Sequence, residues 1–275
     1  MKLPELHDRL FDLLCIIDDI CKKENVRYFL DSGAELGAIR EGDFIPWDDD
    51  LDLKVLAEDY EAFKAAMIKN LPEHLHFAEP QERAPAFYDF IVRIYDDRYP
   101  IKELTDEDRY YKDFTTHVGT DVFIMAKAPK TESGAKRMVF SVKTLYGLGM
   151  AHRYAIEWDK YKGFQKVSVA LLAFVGKLLP ASFIYNRFNK LTFKYNDTDT
   201  PYRVKTNVPL QYLRPLPDHI FTSGVAPCFI RGREFPTVKK YEEEMRLYYG
   251  DNWRTPIKDG DFIRHLDEED QYSEE

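Results

Sequence analysis

A chain of 275 residues, 44% hydrophobic and 15% aromatic, can bury a substantial core, and its length exceeds a typical domain without demanding two. A net charge of −9 excludes nucleic acid as a general partner, because gripping a phosphate backbone requires a basic surface. Three cysteines (Cys15, Cys21, Cys228) at no metal-binding spacing, no secretory leader and no apolar run long enough to cross a bilayer predict a cytoplasmic protein with structural thiols.

Leu6, Leu10, Leu13, Leu14, Ile17, Ile20 and Cys21 recur at helical spacing and predict an amphipathic helix over 4–24. Residues 26–30 read as a short apolar strand. From 50 to 55 polar and apolar residues alternate, so a strand would carry Asp50, Asp52 and Lys54 on one face and Leu51, Leu53 and Val55 on the other. Asp48 joins the first face if the strand is already extended there. A helix is expected at 59–70, closed off before Leu71-Pro72, with strands at 87–95 and 118–125. Residues 133–195 read as mostly helical. Residues 201–236 are proline-punctuated and irregular, with a small hairpin near 219–235. A last helix at 238–249 ends at Gly250, and the acidic final ten residues form a frayed tail.

The chemistry concentrates at the acidic strand. Asp48, Asp49, Asp50 and Asp52 fall within five residues. Like charges this close repel, and protonation or a cation relieves the repulsion. An all-oxygen donor set favours Mg²⁺ or Mn²⁺. A calcium loop is a weaker reading: Asp48, Asp50 and Asp52 sit at its first, third and fifth positions, but Leu53 stands where a glycine is needed and Asp59 where a glutamate is. A solvated acidic turn is the plain alternative.

Upstream, Asp31-Ser32-Gly33 opens a stretch with glycines at 33 and 37, where a backbone turns or approaches a ligand, and the helix that follows could receive phosphate at its N-terminus. Alone this is a turn. Followed by a two-carboxylate strand, it is the arrangement nucleotidyltransferases use. Asp121 on its own strand is a candidate third acid. Arg93, in an otherwise apolar strand, either meets phosphate or pairs with one of the acids. Arg40 and Arg233 are weaker phosphate candidates. His117 is a base candidate, and Trp47 reads as a packing anchor.

The blocks at residues 28–33 and 36–40, and Gly-Asp-Phe-Ile-Pro-Trp-Asp-Asp-Asp-Leu-Asp at 42–52, resemble the LicD family of phosphotransferases, related to lipopolysaccharide and teichoic-acid cholinephosphotransferases and more distantly to the fukutin group. Gly232–Pro236 and Tyr249-Gly250-Asp251 are similar to the family's C-terminal signature. The chain departs from the pattern at Ala34 and Glu35, where the family carries Thr and Leu, and at Ala126, where a second acid is lost.

The resemblance implies an α+β fold: a nucleotidyltransferase-like mixed sheet with flanking helices and a mostly helical middle and C-terminal part. The expected division is a catalytic core at 1–132, a helical insertion at 133–200, a C-terminal segment at 201–265 packing back on the core, and the tail at 266–275. It implies a Mg²⁺- or Mn²⁺-dependent phosphotransferase moving a phospho-alcohol such as phosphocholine from a nucleotide-diphosphate donor to a cell-surface glycan precursor. Asp48, Asp50, Asp52 and Asp121 would hold metal, the last three would be catalytic, and Ser32, Gly33, Arg40 and Arg93 would bind phosphate. The open alternatives are a nucleotidyltransferase acting on a small molecule and a catalytically weakened nucleotide- or glycan-binding protein. Between His152 and Lys194 eight basic residues face only Glu157 and Asp159. That segment reads as a solvated helical face or as a surface for an anionic glycan or the inner face of the cell membrane.

Overall fold

A computed structural model describes residues 1–112 and 115–257. In chain order the elements are α1 (Leu3–Glu24), β1 (Phe29–Leu30), α2 (Ser32–Arg40), β2 (Asp52–Leu56), α3 (Tyr60–Asn70), β3 (Leu75–Ala78), β4 (Val92–Pro100), α4 (Asp106–Tyr110), β5 (His117–Lys127), α5 (Glu132–Gly149), α6 (Phe164–Gly176), α7 (Ala181–Thr192), β6 (Tyr202–Lys205), β7 (Pro215–Pro217), α8 (Asp218–Phe221), β8 (Val225–Ile230), β9 (Arg233–Val238) and α9 (Tyr241–Tyr249). The class is α+β, as expected.

Seven strands form one mixed sheet in the order β1-β2-β5-β4-β3, with β6 on β5 and β7 on β6. The 11-residue β5 organises it. One edge runs parallel to β2, from Asp52↔Asp121 to Leu56↔Met125. Antiparallel β4 and β6 take successive stretches, residues 117–122 and 125–127. β8 and β9 form a separate hairpin.

The stripe of α1 is buried from Leu3 to Cys21 against the sheet, and Asn25 closes the helix in the left-handed conformation. Removing one of its fully buried members, Leu14 or Ile17, should cost about 2–5 kcal/mol. α5 and α7 enter the same core: Phe90 stacks on Phe188 at 3.9 Å and meets Tyr146 edge-on.

Several boundaries differ from expectation. β1 is two residues rather than five, because the Val26 amide is still bonded to the Cys21 carbonyl of α1. β2 begins at Asp52, so residues 48–51 form a loop. β4 starts at Val92 rather than at 87: Phe87 bonds instead to the His152 carbonyl and the Asp89 carboxylate holds the Ile91 amide, and the aromatic run fills core space. The expected hairpin lies at 225–238, behind the short α8. Strands β3, β6 and β7 were not anticipated. The acidic tail lies outside the described residues.

Candidate active site

The parallel register of β2 and β5 sets Asp52 beside Asp121. The junction is fastened from the loop side: the Leu51 carbonyl accepts the Asp121 amide at 3.1 Å and the Thr120 hydroxyl at 2.8 Å. Asp52 is buried, and its carboxyl is raised well above the ordinary carboxylate range, by burial first and then by the charges of Asp50, Asp121 and Asp31, with Lys205 opposing. A site in this state takes up a proton or a cation. Its donors are carboxylate oxygens, the set that fits Mg²⁺ or Mn²⁺.

The loop before β2 brings Asp48 in from the other side. A turn closes from the Asp48 amide to the Ile45 carbonyl, and His7, stacked on Phe44, bonds the Asp48 carbonyl at 2.7 Å. A Cβ at position 33 would sit 2.0 Å from Asp48 Oδ2, so the absent side chain of Gly33 is what admits that carboxylate to the start of α2. Ser32 is half-buried at the same turn, in the left-handed region at φ 49°. The Asp31 amide bonds to the Asp52 carbonyl at 2.9 Å, tying this turn to the acidic strand. Ser32, Gly33, Asp48, Asp52 and Asp121 are thus drawn to the end of the sheet where β2 begins beside β5, with Asp50 within the field of Asp52.

Arg93 lies opposite Asp121 in the β4–β5 ladder, and its Nε is 2.9 Å from Asp121 Oδ1. Its other nitrogens grip Asp89 at 2.7 and 3.2 Å, and Arg83 adds a third contact to Asp89 at 3.0 Å. Burial pushes the Asp89 carboxyl up, but the two guanidiniums outweigh it and hold it below the usual range. The geometry therefore realises the acid-pairing alternative for Arg93 and makes it a positioning group for Asp121.

Other candidates lie elsewhere. Arg40 closes the far end of α2, about 12 Å along the axis from Ser32, bonded to Glu41 and the Trp253 carbonyl. Arg233 ties the β8–β9 hairpin to α1 through Asp18 and Asp19. His117 is four strand residues, about 13 Å, from Asp121 and packs beside Tyr95. Trp47 packs on Leu36, Ile45, Met245 and Trp253.

Groups that the sequence did not reveal surround the acids. Lys54 is fully buried between Glu35 and Glu244, 2.6 Å from each, and lies 3.6 Å from Asp31. Lys205 reaches Asp31 at 2.5 Å from β6, and Thr237 donates to Glu35. Glu35, where the chain departs from the family pattern, is paired with Lys54. Ala126 is buried in the β5–β6 ladder, five residues beyond Asp121. Tyr249, 42% exposed, has its phenol raised by desolvation and by Asp31, Asp48 and Asp52, which returns the C-terminal signature to the N-terminal acids. The Lys54 contacts could have been suspected from its place two residues after Asp52 on the same face; Lys205 and Glu244 carry no local signal.

The fold is α+β, and its mixed sheet sets Asp52 beside Asp121. Residues 25–84 match the family described as LicD/FKTN/FKRP, nucleotidyltransferase domain. The lipopolysaccharide cholinephosphotransferase LicD of Haemophilus influenzae is 24% identical over 281 residues, covering 98% of each chain. An uncharacterised protein of Rickettsia prowazekii is 28% identical over 55% of this chain and 56% of its own. Human ribitol 5-phosphate transferase FKRP is 50% identical over 40 residues, 14% of this chain and 8% of that protein. The LicD-family resemblance read in the sequence is borne out, locally by the domain and loosely over nearly the whole chain.

Proposed function

We propose that this protein is a divalent-metal-dependent phosphotransferase that moves a phospho-alcohol group, such as phosphocholine, from a nucleotide-diphosphate donor to a cell-surface glycan precursor at the cytoplasmic face of the membrane. One observation carries the reading: the in-register pairing of Asp52 with Asp121, which sets two carboxylates beside the Gly33 turn. The full-length likeness to a cholinephosphotransferase supports the choice of group, and the partial likeness to a ribitol 5-phosphate transferase supports substituted phosphates as the class.

Asp50, Asp52 and Asp121 would hold the ion, with Asp48 beside them. When bound, a divalent cation there supplies charge neutralisation on the phosphates. The donor phosphates would approach the amides at the start of α2, where Gly33 leaves room for the Asp48 carboxylate. Arg93 fixes Asp121, which accepts the proton of the attacking glycan hydroxyl. In-line attack then forms the new phosphate ester as the nucleoside monophosphate leaves.

Incubation with Mg²⁺, cytidine-diphosphate-choline and glycan acceptors tests this. Cytidine monophosphate should be released and choline phosphate should appear on the glycan. Pyrophosphate released from a nucleoside triphosphate would replace the proposal with nucleotidyl transfer. Donor binding without turnover on any acceptor would replace it with a binding protein. Titration calorimetry that finds no Mg²⁺ or Mn²⁺ uptake, with or without donor, would remove its metal basis.

A further inference from the structure

Helix α6 is attached to the protein by a narrow seam. Ala173 and Gly176 are buried and Val169 and Leu172 half-buried; Leu172 lies over Gly147 of α5, and Gly176 lies against the Leu148 carbonyl and Ala151. The opposite face is apolar and open. Phe164, Val167, Leu171 and Phe174 are 84, 63, 62 and 68% exposed, and Leu178, one turn on, is 77% exposed. At about 100° per residue these five fall on one stripe facing away from the seam. An ordinary soluble helix turns such a stripe inward.

The charge around this stripe identifies its occupant. From residue 160 to 196 the chain carries seven cations and no acid, within a chain of net charge −9. Lys162, Lys166 and Lys177 are exposed on and beside α6 itself. A second copy of the same face would bring like charges together, whereas anionic lipid headgroups complement the lysines and acyl chains complement the stripe. With 13 residues α6 is about 20 Å long, short of a hydrocarbon core of about 30 Å. Among the described residues no single helix is long and apolar enough to cross a membrane, and α6 meets α7 at 109°. We propose that α6 lies in the headgroup plane of an anionic bilayer, with Phe164, Leu171 and Phe174 inserted and the flanking lysines on the phosphates. The proposal uses none of the acid-site residues, so either reading can fail alone.

Flotation of the full chain with vesicles tests it. The protein should float with vesicles of mixed phosphatidylglycerol and phosphatidylcholine, float poorly with phosphatidylcholine alone, and detach as salt is raised. The double variant Leu171→Glu/Phe174→Glu alters exposed side chains, so its circular dichroism and melting should match wild type while its bound fraction falls at least about tenfold. If that variant fails to fold, Lys166→Glu/Lys177→Glu carries the test, with loss of binding again expected. No flotation of wild type, or binding that survives the variant that folds, overturns the proposal. A wild-type dimer that the substitutions dissolve, without lipid binding, overturns it in favour of a second copy.

Discussion

Two regions on one strand gather carboxylates and treat them oppositely. Around Lys54, the carboxyls of Asp31, Glu35 and Glu244 lie within 4.8 Å of one another, a spacing that could hold a metal, yet the ammonium of Lys54 sits among them and Lys205 holds Asp31 from β6. Two residues earlier, Asp52 lies beside Asp121 and in the field of Asp50, and its carboxyl stays raised well above its ordinary value despite the nearby Lys205. The first cluster has its cations built into the fold. The second has Arg93 against Asp121, yet burial and its acidic neighbours keep the Asp52 carboxyl raised.

Exchanging the two roles should break this contrast, with the largest effect on turnover. Asp52→Asn or Asp121→Asn should lower phosphotransfer by about 10³-fold or more. Asp52→Asn should also leave the melting temperature equal or higher, because a crowded charge is removed. Steady-state release of nucleoside monophosphate and a thermal melt on the same preparation check both; a variant that unfolds would make Asp52 structural. Lys54→Met should do the reverse. It strands Glu35 and Glu244 in the interior, costing about 3–5 kcal/mol and lowering the melting temperature by roughly 10 °C.

A finer cut uses the two glycines of α2. Gly33→Ala places a Cβ against the Asp48 carboxylate, a side chain able to swing away, so turnover should fall about tenfold with little loss of stability. Gly37→Ala meets backbone instead, the Asp43 carbonyl at 2.6 Å and the Ile45 amide at 2.9 Å, and should destabilise by about 1–3 kcal/mol. Activity assays and urea titrations of the pair should separate the two effects; equal stability losses would show that Asp48 is held as rigidly as the backbone.

What the sequence disclosed follows the range of each interaction. α1 was legible because its apolar stripe keeps one period over six turns, and the acidic block because its residues are neighbours in the chain. Asp121 could be nominated from its strand, but its pairing with Asp52 depends on a register between segments about seventy residues apart. The partners of Lys54 arrive from residue 35 on one side and residue 244 on the other, and Lys205 lies on a four-residue strand in a stretch broken by prolines. Arg93 stood out as a charge in an apolar run, but whether it met phosphate or acid was a question of cross-strand geometry that local sequence does not hold.

The subtlest test concerns protons inside the closed cluster. Three carboxyls (Asp31, Glu35, Glu244) face two ammoniums (Lys54, Lys205), so one extra proton makes the cluster neutral, and the Glu35–Glu244 pair is where it resides. Burial, then the charge of Glu35, pushes the Glu244 carboxyl up to about 8, against an ordinary 4.5, although Lys54 opposes the shift. Between those values the folded protein holds a proton that the unfolded chain has released. This contribution to stability is complete below about pH 4.5, falls as pH rises, and is lost once pH passes about 8. Glu244→Gln keeps a hydrogen-bonding oxygen toward Lys54 and cannot ionise. Its stability should fall less steeply than that of wild type from about pH 5 to about pH 8, leaving it the more stable protein at the alkaline end. Urea midpoints taken across this range decide the matter: parallel curves for the two proteins would mean that Glu244 does not carry the proton.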